Sequence, residues 1–147
     1  WSIDKSSSYT FTVSNGVAEV KYFNGKTANE SVSSLISGAP TSGIVSGLYE
    51  CLTGTVNGHS EEITASAVVF SSSSKAKDFF STGEVLIQFS ATSFKKISSN
   101  EFVAYTSSGS NVDSIIVELN GNTVYAVQVI APYPIGTSTL QSLISYL

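Results

Sequence analysis

The reading of this chain turns on one stretch, Asn111–Ile130, NVDSIIVELNGNTVYAVQVI. Two apolar runs meet at Asn120-Gly121, and Asn-Gly readily takes the two positive φ angles of a type I′ turn, whose twist matches that of its flanking strands. A two-residue turn there sets Val117 opposite Val124 and Ile115 opposite Ala126 on one face, with Ile116 opposite Tyr125 and Ser114 opposite Val127 on the other. Both faces are largely apolar. Such a hairpin needs cover on two sides, which predicts a place inside an antiparallel sheet with helices or a second sheet packed on it.

Working outward, the same dipeptide recurs at Asn15-Gly16 and Asn57-Gly58. Around the first, Tyr9 to Phe23 places Tyr9, Phe11, Val13, Ala18, Val20 and Tyr22 on one face against Thr10, Thr12, Glu19 and Lys21 on the other. One side is core and one is wet. Around the second, Leu48 to Phe70 sets Leu52 opposite Ile63 and Leu48 opposite Ala67. Glu50 falls on that apolar side, and Gly54 is read as a bulge that returns it to solvent. Glu84–Phe89 alternates Val85, Ile87 and Phe89 and reads as a strand that Phe94–Ile97 extends or bends, and Glu101–Thr106 reads as another short strand. Residues 1–8, polar after Trp1, read as a flexible N-terminal arm.

Three helices complete the pattern. Thr27-Ala28-Asn29-Glu30 is a capping box, followed by Val32, Leu35 and Ile36 at helical spacing and closed by Gly38 and Pro40. A second helix, capped by one of Ser72 to Ser74, carries Ala76, Phe79 and Phe80 and ends at Gly83. Ala131-Pro132-Tyr133-Pro134-Ile135 leaves the sheet, because each Pro lacks a ladder donor. Thr137 or Ser138 then caps a last helix with Leu140, Leu143, Ile144 and Leu147 in a stripe. The expectation is one α+β domain over residues 1–147, an antiparallel sheet of about seven or eight strands built from Asn-Gly hairpins under three short amphipathic helices. Hairpin followed by helix at 9–37, 48–81 and 112–147, with Ser-Leu-Ile-Ser at Ser34–Ser37 and Ser142–Ser145, suggests an internal repeat.

Charge narrows the partners. Only 12% of the 147 residues are charged, the net charge is −4 and all seven basic residues are Lys. Phosphate backbones need clustered Lys and Arg, and here only Lys95-Lys96 are adjacent, so nucleic acid is not an expected partner. No apolar run approaches the roughly 20 residues that span a bilayer. Ser and Thr exceed a quarter of the chain. The sequence opens on Trp1 and holds no Met, which reads as a trimmed product with its signal peptide removed, hence an extracellular or cell-surface protein. The single Cys51 cannot form an internal disulfide.

Candidate chemistry is sparse. His59 and Glu61 are the candidate metal ligands, but Glu62 points to the opposite face of a strand and no third ligand stands nearby. A Ser-His-Asp arrangement would need His59 with Asp4, Asp78 or Asp113, and no Gly-x-Ser-x-Gly elbow presents a nucleophile. Glu50 is the candidate catalytic carboxylate, because apolar neighbours would favour its protonated form. Cys51 lacks a base and reads as a packed thiol. No phosphate loop, Cys pair or dinucleotide fingerprint is present, so no cofactor is expected. Asn29-Glu30-Ser31 is a glycosylation sequon at Asn29.

The order strand, helix, two strands and long hairpin is carried by ITASAVVFSSSSKAKDFF and SNEFVAYTSSGSNVDSIIVELNGNTVYAVQV. In that stretch the chain resembles α+β extracytoplasmic sensor or lipoprotein domains, which implies a variable cleft on a curved sheet. The hydroxyl-rich, Arg-free composition also resembles surface and filament proteins of acid-dwelling thermophilic archaea. Neither likeness implies a role for any particular residue.

The function expected from these observations is a non-enzymatic structural, assembly or adhesion domain outside the cell, self-associating through an arm that carries Trp1, Tyr9, Phe11 and Val13 as a donor strand. The alternative is a ligand-sensing or small-solute-binding domain whose cleft lies between the final hairpin and a helix. A carboxylate-based hydrolase using Glu50 is a third reading.

Overall fold

The computed structural model describes residues 1–36 and 40–147. The chain begins with β1 (Ser2–Ile3), β2 (Tyr9–Ser14), β3 (Val17–Tyr22), β4 (Thr27–Ser31) and the single turn α1 (Val32–Leu35). Two long strands, β5 (Ile44–Val56) and β6 (His59–Phe70), lead to the long helix α2 (Ser73–Ser90). Then come β7 (Ser93–Ser98), β8 (Glu101–Ser108), β9 (Asn111–Asn120), β10 (Thr123–Ala131) and α3 (Thr137–Ile144). Among the described residues ten strands, rather than the expected seven or eight, form one sheet in the order β4-β3-β2-β5-β6-β10-β9-β8-β7, with β1 beside β5. Every pairing is antiparallel.

The two-sided hairpin lies within this sheet and is covered above and below. On one face Val117 and Val124 are buried with Phe70, Ala76, Phe80 and Phe102 under α2. On the other, Ile116 and Val127 are buried with Val103, Leu140 and Ile144 under α3. The turn itself differs from expectation. Asn120 closes the ladder opposite Thr123, and the loop is Gly121-Asn122, with a positive φ of 61° at Gly121 alone. Val117 therefore faces Ala126 and Ile116 faces Val127. The slip is two residues in pairing, so each side chain keeps its expected face while changing its partner.

The other long hairpins have simpler turns. Asn15 and Gly16 carry φ of 53° and 76°, Asn57 and Gly58 carry 51° and 79°, and the flanking registers put Tyr9 opposite Tyr22 and Leu52 opposite Ile63. Phe11, Ala18 and Val20 are buried and Thr10, Thr12, Glu19 and Lys21 are exposed.

Five local readings are corrected. Thr27–Ser31 is a strand, not a capped helix: it fills the open edge of β3, pairing Thr27 with Lys21 and Ser31 with Val17. A ladder of backbone bonds outweighs one capping box. The expected stop at Gly38 lies outside the described residues. Glu84–Phe89 is helical, because α2 continues through Gly83 and keeps Ala76, Phe80 and Ile87 on the core side. The register of β5 and β6 is unbroken from Ser46 to Val56, so Gly54 is no bulge. Instead the Trp1 indole lies on it, and a Cβ there would meet Trp1 Cδ2 at 2.7 Å. The last helix is capped by Gly136 rather than Thr137 or Ser138. With α1 and α2 on one face and α3 on the other, the three hairpin-helix segments do not superimpose as a repeat.

Residues 1–8, expected as a free arm, are tied to the sheet. Ser2 and Ile3 pair with Thr53 and Leu52. The Asp4 side chain closes the following turn by accepting from the Ser6 amide at 2.9 Å and the Ser6 hydroxyl at 2.6 Å. Ser8 is fully buried, and its hydroxyl accepts from the Cys51 amide at 2.9 Å, standing in for a ladder carbonyl between β1 and β2.

Candidate functional site

A cleft of about 410 Å³ opens on the α2 face of the sheet. Its roof is one stripe of α2, Phe79, Phe80, Gly83, Leu86 and Ile87. Its floor is Ser66, Val68, Ile115, Val117, Val124 and Ala126 from β6, β9 and β10. Tyr9, Phe11, Leu35, Ile36 and Tyr49 line it where β2, β5 and α1 meet. The sheet is wider than one helix can cover. Space is left between α2 and the β2–β3 hairpin.

Gly83 adds to that space. It sits inside α2, where glycine costs about 1 kcal/mol relative to alanine, and a Cβ built on it meets no atom within 4 Å. Lys96 fixes the helix over the sheet through an ion pair with Glu84 at 2.6 Å, while its ammonium stands 5.9 Å from the Phe80 ring centre. At the outer edge of the roof Leu86 is 47% exposed, and beyond it Val85 is 65% and Phe89 94% exposed.

The lining holds no charged side chain. Its polar atoms are hydroxyls. Tyr9 stacks on Tyr49 with ring centres 5.4 Å apart and meets Tyr22 edge-on at 5.5 Å. Burial first, then the neighbouring Tyr49 and Tyr22, pushes the Tyr9 hydroxyl above the ordinary tyrosine range. Burial, then Cys51 and Glu62, does the same at Tyr49. Both phenols are therefore neutral at physiological pH, able to donate and accept but not to balance a ligand's charge.

The residues singled out from sequence lie elsewhere, apart from two. Tyr9 and Phe11 line the cleft. Both belong to β2, which is hydrogen-bonded to β3 on one side and β5 on the other, so the expected donor strand is committed within its own sheet. Trp1 is 58% exposed and Val13 packs beside the α2-face core. Glu50 is half-buried opposite Ala65 and does not line the cleft. His59 is exposed at the β5–β6 turn, whereas Glu61 is buried and accepts a hydrogen bond from the Tyr133 hydroxyl. Among the described residues no three metal-ligating side chains come together. Cys51 is buried, and burial, then Glu62 and Asp4, holds its thiol above the usual range. Asn29 is exposed on the outer strand β4.

Two features escaped sequence reading. Gly83 passed for a helix stop, although its spacing of three and four from Phe80 and Phe79 puts all three on one helical face. Glu101 and Glu118 stand directly opposite on β8 and β9. Burial, then a hydrogen bond and charge from Glu101, raises the Glu118 carboxyl above the ordinary range. Gln141 on α3 donates to Glu101 at 2.8 Å.

No family model, curated protein or solved structure matches this chain. Among the described residues no helix is long and apolar enough to cross a membrane.

Proposed function

We propose that this protein is a non-catalytic binding domain that takes a small, elongated apolar molecule into the cleft beneath α2. The observation that carries the proposal is the cleft itself, about 410 Å³ lined by aliphatic and aromatic side chains and by three hydroxyl-bearing residues. That volume lies within the range of roughly 300–1,000 Å³ usual for small-molecule sites. Chemistry is not favoured there. His59, the one imidazole of the chain, sits at the β5–β6 turn, and Glu50 does not line the cleft. The test is uptake of an environment-sensitive apolar dye by the whole chain and by Gly83→Leu, whose side chain would project into the open space. Saturable dye binding lost in the variant supports the proposal; no uptake by the native chain refutes it.

A second reading, assembly or adhesion outside the cell, is favoured by the exposed Trp1 and by the exposed Ile3 of β1, whose outer side has no partner strand among the described residues. Ile3→Lys would place a charge there. Light scattering that shows native oligomers dissolving in this variant supports assembly, and a monomer at every concentration counts against it. The low-charge, hydroxyl-rich composition supports an extracellular setting. A mass increase abolished by Asn29→Gln, after expression in a glycosylating host, would show that Asn29 accepts glycan.

A further inference from the structure

Past the residues that line the cleft, the same face of the sheet carries a polar row. Two residues beyond Ser66, Ala126 and Ile115 on their own strands stand Thr64, Gln128 and Asp113, and alternation along a strand puts each on the same face as its apolar neighbour. The three are linked. Thr64 Oγ1 donates to Gln128 Oε1 at 3.3 Å, and Gln128 Nε2 donates to Asp113 Oδ2 at 2.6 Å. The amide is thus used at both ends. Asp113 Oδ1 is buried and has no hydrogen-bond partner in the described structure. A buried carboxylate oxygen left without a donor costs free energy, and such sites call for an explanation.

From this geometry we infer that the ligand is a single-chain amphiphile with a hydrogen-bond-donating head, an amine or an alcohol, set against Asp113 while its tail lies beneath α2. The inference rests on the cleft being the binding site, as proposed above. A carboxylate or phosphate head is disfavoured by the same groups. The cleft lining has no cation, Lys96 is engaged with Glu84, and the row offers the carboxylate of Asp113 where an anion would need a donor. A protonated amine would instead find an acceptor that Gln128 has already oriented.

The experiment uses the full chain at neutral pH with a bound apolar dye, displaced by decylamine, decanol or decanoate, each below its aggregation threshold. Decylamine is expected to displace the dye at concentrations at least about tenfold below decanoate, with decanol between them. Asp113→Asn keeps the size of the side chain and an acceptor for Gln128. It should erase the preference for the amine over the alcohol. Circular dichroism of the variant checks that it is folded; if it is not, Gln128→Leu, which also removes the orientation of Asp113, must lower the preference. Equal displacement by amine and carboxylate in the native chain, or an unchanged preference in a folded variant, overturns the inference and leaves the cleft proposal standing. Absence of dye uptake by the native chain overturns both.

Discussion

Replacing Gly83 by Ala separates the observed helix from the strand that the sequence pattern predicts. If α2 runs unbroken from Ser73 to Ser90, Gly83 is an interior helical residue, and alanine there stabilises by about 1 kcal/mol from helix propensity alone. The added methyl meets no atom within 4 Å, so neither strain nor new packing alters that figure. For a two-state domain of this length the melting temperature should rise by about 3 °C. Were Gly83 a left-handed helix stop before a strand over 84–89, alanine would be strained there and the protein would lose about 1 kcal/mol instead. Urea and thermal unfolding followed by circular dichroism decide between the signs. A decrease in stability refutes the continuous helix, and with it the roof of the cleft.

Other outcomes follow from particular contacts. Ser8→Ala removes the acceptor for the buried Cys51 amide and should cost about 1–3 kcal/mol in urea unfolding; no loss would show that the amide is satisfied otherwise. At Gly47 a new Cβ would run into the Phe11 ring and stand 2.9 Å from the Ala67 carbonyl, whereas at Gly54 the three nearest atoms all belong to the more exposed Trp1 ring. Gly47→Ala should therefore destabilise by about 1–3 kcal/mol, while Gly54→Ala should cost less and shift the fluorescence of the single Trp. Equal costs would argue against these contacts. Glu118 has a folded-state carboxyl raised by burial and Glu101. Its sign is that of an acid harder to ionise when folded: stability is full in acid and is lost as pH rises past the unfolded value of about 4.3 toward the raised one. Glu118→Gln should flatten that decline in melting temperature, and parallel pH profiles would refute the assignment.

Part of the candidate site was legible in the residues. The alternation of Tyr9, Phe11 and Tyr22, and the two apolar faces of β9 and β10, depend on the period of a strand and need no tertiary information. They already imply that each face of the final hairpin must be covered by helices or a second sheet, and the cleft is found on one of those faces. The Phe79-Phe80 pair likewise announced a helix with a core side. The linkage of Thr64, Gln128 and Asp113 gave no signal, because it crosses from the final hairpin to β6, a pairing that no local pattern specifies.

What the sequence by itself determined is therefore local: turns where Asn and Gly tolerate positive φ, and the face on which each strand residue falls. Tertiary structure decided the rest. Thr27–Ser31 can satisfy its backbone in a helix or on the edge of β3, and only the presence of that edge settles the choice. Val85, Ile87 and Phe89 alternate like a strand, yet Phe80, Gly83 and Ile87 also recur at helical spacing, and packing on the sheet favours the helix. Where two periodicities fit the same residues, the surface available to bury them selects one.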